Sequence, residues 1–349
     1  MTPLAHVVTI LAVLPLAHFM PRRLRLVFVT IAGAAFMLML APAGFWVVLV
    51  TIVEALILER VLRGLPKKSA LRQYLPYVLL LNVFATDLAN EVFTRANFVT
   101  AGVAFAVVRV FMTTKQLLGT KETTAPQRIV SLAAGGWFLP AIVIGPVFSG
   151  TTLWEQSARG SAEPDVGPTE ALYRKFFAGW VLAALLSDWL VQESGGNGLG
   201  RWTAPFVLLA LFGHLFAAFW GQSLIAESGA ALAGFRIPTN FDRPWRAVDI
   251  RDFWNRWHMS MARFVMQYFF LPLNLRGVNA RVATTLAFVF MGLWHEVQPG
   301  YIIWGLAHGL LMAFAPKSSD LQSRIARVVN RVATLSTVIL LSYVANYAF

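Results

Sequence analysis

Long apolar runs, separated by short polar and basic segments, recur along most of the chain. A transmembrane α-helix needs about 20 predominantly apolar residues, and ten runs approach or reach that length. The runs lie near 3–20, 24–41, 43–59, 74–93, 96–114, 172–191, 203–222, 281–297, 300–315 and 333–348. Because helices that are apolar on every side are buried either in a large core or in a membrane, the pattern predicts an all-α polytopic membrane protein with about ten spans.

Two further apolar stretches do not have the pattern of a simple span. The stretch 129–148 contains one glycine pair, a further glycine and two prolines, and irregular backbone at membrane depth is tolerated only inside protein or beside a water-filled cavity. We therefore expect this stretch to re-enter on the side from which it came. The stretch 259–275 places Arg263 and Gln267 four residues apart on one helical face, with apolar residues opposite. That pattern is typical of an interfacial helix.

The composition agrees with a membrane protein. The 349 residues are 57% hydrophobic and 13% charged, whereas soluble domains carry about 25% charged residues. The mean hydropathy is +0.62. The chain contains no cysteine, which excludes disulfides, thiolate metal sites and an acyl-cysteine intermediate. We found no internal repeat and expect one membrane-embedded domain over 1–349, with its motif core at about 130–315.

The basic residues indicate the orientation. A cluster of three arginines at 22–25 follows the first apolar run, which predicts a first span with its N-terminus outside rather than a signal peptide. With 129–148 re-entrant, nearly all of the 29 Lys and Arg fall in segments on the cytoplasmic side, including 236–258, and the connection 192–202 is external. This bias explains the net charge of +12 without nucleic acid, so no nucleic-acid partner is predicted.

Two segments combine ionisable and aromatic residues in a pattern that is typical of a functional site. The segment 235–260 is charged and aromatic, and His258 stands just before the amphipathic stretch. In the second segment, His295 lies 14 residues after Arg281, where its apolar run begins. At about 1.5 Å per residue this places its ring roughly 21 Å into a hydrocarbon core of about 30 Å. An ionisable residue at that depth is a candidate functional residue.

These segments also carry a family resemblance. The string F-W-N-R-W-H-M-S at 253–260, introduced by P-T-N-F-D-R-P at 238–244, resembles the signature of the membrane-bound O-acyltransferases. G-L-W-H at 292–295, followed by W-G-L-A-H-G at 304–309, resembles the second block of that family, and I-G-P at 144–146 is similar to a shorter element. The resemblance is strongest to the bacterial branch that transfers acyl groups onto alginate or D-alanine onto teichoic acid.

The resemblance implies one catalytic histidine in each block, His258 and His295, and helices arranged around a central tunnel. Acyl transfer from a thioester to a hydroxyl needs a base, stabilisation of the oxyanion and exclusion of water. We expect His295 to be the base and His258 to position the acyl carbonyl or donate to the oxyanion. Without a cysteine or a nucleophile-elbow serine, direct transfer is the simpler mechanism, and Ser260 is expected to cap a helix.

Further residues are predicted to bind substrate or to support the site. The substrate-binding candidates are Trp254, Asn255, Arg256, Trp257, Trp294 and Glu296. His308 lies in the second block and is expected to support the catalytic residues. No metal site is predicted, because no acidic residue or histidine stands at ligand spacing from His295 except Glu296, which would point to another face of the helix.

The donor is expected to be an acyl-CoA or acyl-carrier-protein thioester on the cytoplasmic side, with no bound cofactor. The basic face would attract an acidic carrier protein and anionic membrane lipids. The acceptor would be an extracytoplasmic glycan, or a partner acyltransferase or carrier that passes the group on, and the location a bacterial inner membrane. Two alternatives stay open. P-G-Y at 299–301 is more similar to the lysophospholipid branch and favours a lipid acceptor, and W-H-E by itself would permit a proton-coupled transporter.

Overall fold

The computed structural model describes residues 3–84, 97–158, 168–187, 189–190, 204–315 and 323–347. All regular elements within these ranges are helical, so the all-α prediction is confirmed for this part of the chain. The predicted outer connection 192–202 and the second half of the predicted span 74–93 lie outside the described residues.

Most of the predicted apolar runs contain an α-helix, but the run near 74–93 begins with a 3-10 turn at Leu75–Leu81. The α-helices are α1 (Pro3–His18), α2 (Arg22–Leu40), α3 (Pro42–Arg63), α4 (Ala70–Tyr74), α5 (Asn97–Gly119), α6 (Ala125–Trp137), α7 (Gly150–Ala158), α8 (Thr169–Trp180), α9 (Ala204–Leu232), α10 (Ile250–Arg256), α11 (Met259–Val265), α12 (Leu271–Asn274), α13 (Ala280–His295), α14 (Pro299–Phe314) and α15 (Arg324–Tyr347). Short 3-10 turns lie at Leu75–Leu81, Leu139–Ala141 and Pro244–Arg246, and π-helical turns at Val181–Leu186 and Met266–Phe270.

Three of these helices are long and apolar enough to cross a membrane within the described ranges. They are α2, α9 over Val207–Leu232 and α15 over Arg324–Asn346. The helices α1 and α14 are shorter but also apolar. A chain with several such helices is a multi-span membrane protein by composition, while the number of ten spans and the central tunnel stay predictions.

The chain divides into two compact units, Met1–Ala184 with Gly221–Pro238, and Leu185–Trp220 with Thr239–Phe349. In the first unit, α6 ends at Trp137 and the backbone is irregular until α7 begins at Gly150. The fully buried Arg109 of α5 crosslinks this break, since its guanidinium donates to the carbonyls of Gly135 at 2.9 Å and Ala141 at 2.8 Å. The break falls within the stretch 129–148, whose re-entrant path stays a prediction.

In the second unit, α13 and α14 pack at very short range. A Cβ built at Gly292, Gly305 or Gly309 would lie closer than 3.0 Å to a backbone atom of the other helix. Small residues allow helix backbones in membranes to approach closely, and here they hold together the two helices of the second sequence block.

The stretch 259–275 folds as α11, a π-helical turn and α12. Arg263 and Gln267 are both exposed, whereas Met261 and Phe264 are buried. The stretch is therefore amphipathic as its sequence indicates, and its location at a membrane interface stays a prediction.

Candidate active site

The short helix α10 is fixed at its N-terminus by paired acidic side chains. The Asp249 carboxylate accepts from the backbone N–H of Asp252 at 2.7 Å, and the Asp252 carboxylate accepts from the N–H of Val248 at 3.1 Å. Such reciprocal caps satisfy donors that a helix start leaves unpaired. Asp252 also pairs with Arg256 one turn later at 2.7 Å. The capped N-terminus therefore fixes the direction of α10 and the position of its last residues.

His258 forms the corner between α10 and α11. Its backbone lies in the left-handed region, with φ 45° and ψ 48°. That conformation costs an L-residue roughly 1–2 kcal/mol, and strained residues of this kind concentrate at functional sites. The side chain is 4% exposed and meets the ring of Phe219 edge-on at 4.7 Å.

A buried asparagine holds the His258 ring. The Asn240 side-chain oxygen accepts from Ser260 Oγ at 2.5 Å and lies 3.3 Å from Nδ1 of His258. The Asn240 carbonyl accepts from the backbone N–H of Met259 at 2.9 Å. Because an amide oxygen only accepts, Nδ1 carries the proton, and in a neutral ring Nε2 then has the lone pair.

Asn240 is a site residue that sequence reasoning missed, although it is the central asparagine of the P-T-N-F-D-R-P string. The expected role of Ser260 is wrong. His258 occupies the N-cap position of α11 without a side-chain cap, and the Ser260 hydroxyl bonds to Asn240 instead.

The electrostatic surroundings of His258 favour the neutral ring. Burial, and secondarily the nearby His295, lower the pKa of His258 well below the usual histidine value. Removal from water penalises the charged form of a histidine, so the ring is neutral at physiological pH and retains its lone pair.

His295 is the last residue of α13 and has a different environment. Its side chain is accessible because it lines a cavity. The ring is stacked on Tyr301 at 5.4 Å and meets Trp294 and Trp304 edge-on at 5.0 and 5.7 Å. Aromatic rings fix its plane, and none of the hydrogen bonds among the described residues involves its nitrogens. The aromatic contacts therefore orient the ring, and no described residue uses its lone pair in a hydrogen bond.

His308 is fully buried one helix away. Its Nδ1 lies 3.0 Å from the carbonyl of Trp304, and its ring contacts Trp304 at 4.6 Å and Trp254 at 5.4 Å. A histidine bonded within its own helix and surrounded by aromatic rings packs against its neighbours, and the supporting role of His308 stays a prediction.

The three histidines line one cavity of about 90 Å³, roughly three water volumes. Its walls come from α9, α10, α13, α14 and α15 together with Trp257 and His258. A larger cavity of about 450 Å³ is lined mainly by apolar residues, with Arg251, Asn255 and Arg263 as its charged and amide groups. Trp254 and Met291 line both cavities and form their common wall.

The other predicted substrate-binding residues differ in whether they line the histidine cavity. Trp254 and Trp257 line the histidine cavity, whereas Asn255 lines only the larger one. Arg256 bonds to Asp252 and Asp242, Glu296 accepts from Gln298, and neither lines the histidine cavity. Trp294 contributes through its ring contact with His295. Within the described ranges, no three histidine or acidic side chains form a group that could hold a metal ion.

A comparison with protein families identifies the family of the chain. The model of the membrane-bound O-acyltransferase family matches residues 128–341, which include both histidine blocks, the cavity-lining helices α9, α10, α13 and α14, and α15 as far as residue 341. The chain belongs to the membrane-bound O-acyltransferase family. The family predicted from the sequence strings is therefore confirmed.

The relatives are bacterial proteins of the cell envelope. A teichoic acid D-alanyltransferase of Bacillus subtilis is 36% identical over 118 residues, which are 30% of this chain and 30% of that protein. A probable alginate O-acetylase of Pseudomonas aeruginosa is 28% identical over 201 residues, 55% of this chain and 38% of the relative. A peptidoglycan O-acetyltransferase of Helicobacter pylori is 33% identical over 103 residues, 29% of this chain and 20% of the relative. The chain thus matches less than half the length of each.

Proposed function

We propose that this protein transfers an acyl group from a cytoplasmic thioester to a hydroxyl group of an extracytoplasmic glycan or carrier, as a multi-pass protein of a bacterial inner membrane. The observation that carries the proposal is that His258 and His295, from two separate family blocks, line one small cavity. A small, largely apolar cavity limits the access of water to the thioester, and a histidine can carry out the proton transfers that acyl transfer requires.

His295 is the proposed general base. Its ring is accessible in the cavity and fixed by Tyr301 and Trp304. It would take the proton of the acceptor hydroxyl while the oxygen attacks the thioester carbonyl. Collapse of the tetrahedral intermediate breaks the C–S bond, and the proton passes from His295 to the leaving thiolate. An O-acyl ester and a free thiol result, with no covalent enzyme intermediate.

Trp254 is the proposed donor to the oxyanion. Its indole N–H is buried without a hydrogen-bond partner among the described residues, and its ring lines both cavities. An indole N–H only donates, so a negatively charged oxygen at the common wall would satisfy it. For His258, a donating role would require a second proton on a ring whose pKa burial has lowered. We therefore assign His258 to positioning the acceptor, whose hydroxyl group would donate to its lone pair.

The larger cavity is the proposed donor site. Arg263 is exposed and bonds to backbone carbonyls of Met259 and Thr239 at 3.2 and 3.4 Å, so its charge is available to a phosphate. The lining includes Met259, Met266, Met291 and Met312, and methionine side chains adapt to irregular apolar ligands. This combination suits a thioester with an apolar arm and an anionic end, whether it arrives as coenzyme A or on an acidic carrier protein.

The acceptor class is proposed from the relatives, whose names refer to alginate, teichoic acid and peptidoglycan. In the sequence, P-G-Y at 299–301 favours a lipid acceptor. In the structure Tyr301 stacks on His295 and donates to Asn346 at 2.7 Å, so local packing accounts for this tyrosine without a lipid. We therefore favour an envelope glycan.

A deletion strain tests the proposal. Mass spectrometry of its glycans and lipids, compared with the parent strain and with a strain complemented by the wild-type protein, should show loss of ester-linked acyl groups from a glycan. Loss confined to a phospholipid would support the lipid alternative. Unchanged acylation of both fractions would contradict an acyltransferase function.

A further inference from the structure

The last turn of α15 packs tightly against the first turn of α14. A Cβ built at Gly300 would lie 2.8 Å from the carbonyl oxygen of Val344 and 2.9 Å from that of Ala345. A side chain at this position would therefore collide with the backbone of α15. The close approach brings the end of α15 beside Tyr301, which follows Gly300 in the first turn of α14.

A hydrogen bond joins the two turns. The Tyr301 hydroxyl donates to the side-chain oxygen of Asn346 at 2.7 Å. The side-chain nitrogen of Asn346 donates to the Ser342 carbonyl of its own helix at 2.7 Å. Because the oxygen of an amide accepts and its nitrogen donates, this second bond holds the Asn346 side chain with its oxygen toward the tyrosine. The hydroxyl end of the Tyr301 ring is therefore fixed from α15.

Tyr301 in turn orients the proposed base. Its ring lies nearly parallel to that of His295, with 11° between the planes and 5.4 Å between the centroids. Tyr301 is half-buried and lines the histidine cavity, so packing surrounds its ring only in part. A second cavity, of about 130 Å³, shares Ser342 and Asn346 with the histidine cavity. Because Asn346 lines both cavities, its hydrogen bond contributes more than close packing to holding Tyr301 in place.

We propose that Asn346 is a positioning residue, which sets the plane of the His295 ring through the Tyr301 hydroxyl. This inference rests on the proposed acyl transfer with His295 as its base. A general base must point its lone pair at the proton that it removes, and a misplacement of about 1 Å can cost about 100-fold in rate. Asn346 lies beyond residue 341, where the match to the family model ends, so the family signature assigns it no role.

Two variants that break the same bond test this role, with acetyl-CoA as donor and glycerol as probe acceptor. Tyr301→Phe keeps the ring against His295 and loses the hydroxyl, and Asn346→Leu loses the acceptor at similar size. Each should lower kcat by about tenfold. The KM for the donor should not change, since neither residue lines the larger cavity. The double variant should fall no further than either single variant, because both act through one bond. Asn346→Asp retains an acceptor and should have a higher kcat than Asn346→Leu.

Ser336→Ala, at an exposed position of α15 outside both cavities, is the control and should keep the wild-type kcat. All variants are compared at equal concentrations of folded protein, measured by gel filtration, so a loss of stability alone leaves kcat unchanged. Wild-type kcat in folded Tyr301→Phe and Asn346→Leu, or additive losses in the double variant, would overturn the positioning role while His295→Ala stays inactive. If wild-type protein consumed the thioester no faster than His295→Ala, the proposed acyl transfer itself would be wrong.

Discussion

At the scale of single residues, the two histidines of the cavity differ in what fixes their rings. His258 is held by the amide of Asn240 at a strained corner, whereas His295 is held by the faces and edges of aromatic rings. A hydrogen bond on Nδ1 fixes the tautomer of His258. Aromatic contacts orient the ring of His295 and leave both of its nitrogens to substrate. The difference supports one positioning histidine and one base.

Removing the indole N–H of Trp254 tests the oxyanion assignment. Trp254→Phe retains an aromatic ring against Phe288 and Trp304 but has no donor. Loss of an oxyanion donor costs about 10²–10³-fold in kcat, so we expect a fall toward that range with donor KM little changed. Trp257→Phe, which alters another tryptophan of the same cavity, is the control. Equal losses in the two variants would make Trp254 a packing residue.

Replacing Asn240 by aspartate tests the state of His258 through pH. In the wild type, burial lowers the pKa of His258, so the neutral ring persists as pH falls below the usual histidine value. In Asn240→Asp, a carboxylate beside Nδ1 favours the protonated ring and raises that pKa. The acidic limb of the kcat/KM profile should therefore move to higher pH. An unmoved limb would mean that protonation of His258 does not limit the reaction.

At the scale of elements, the helix types and the two motif blocks could be predicted from the sequence, because apolar periodicity and contiguous strings are local signals. The contacts that hold the site residues in place could not be predicted from the sequence. Asn240 contacts His258, which lies 18 residues later in the chain, and Tyr301 contacts Asn346, which lies 45 residues later. No motif in α15 indicates the contact with Tyr301. The helix-cap role expected for Ser260 was wrong for a related reason. The left-handed backbone at His258 makes His258, rather than Ser260, the N-cap residue of α11.

The close packing of α13 and α14 gives a prediction at this scale. Gly292→Ala would put a methyl group against the Tyr301 carbonyl, and overpacking of this kind costs typically 1–3 kcal/mol. Because His295 and Tyr301 lie on the two helices, activity should fall along with thermal stability. Gly119→Ala, where a Cβ meets nothing within 4 Å, should change neither. A Gly292→Ala protein with wild-type stability and activity would contradict the packing argument.

At the scale of the whole molecule, the net charge of +12 has two separable contributions. One is the general bias of cytoplasmic segments toward Lys and Arg. The other is local, because Arg251 and Arg263 line the proposed donor cavity, whereas Arg243 and Arg246 are exposed and line none of the cavities described here. Only the local contribution should affect binding of an anionic donor at close range.

Arg263→Gln tests this distinction. We expect a higher KM for an anionic thioester and a weaker dependence of kcat/KM on salt, since one charge near the donor phosphate is lost. Arg246→Gln removes the same charge from an exposed position outside that cavity and should change both quantities much less. If the two variants had the same salt profile, the larger cavity would not be where the donor charge is recognised.

The most direct test of the central claim is the turnover of folded His295→Ala with a thioester donor. General bases contribute typically 10²–10⁴-fold, so transfer and thioester hydrolysis should both fall by that factor while donor binding persists. His18→Ala, at an exposed histidine on α1, is the control, and both proteins must show the wild-type gel-filtration profile and thermal stability. Near wild-type transfer by folded His295→Ala would contradict its assignment as the base and leave it a packed residue of the cavity wall.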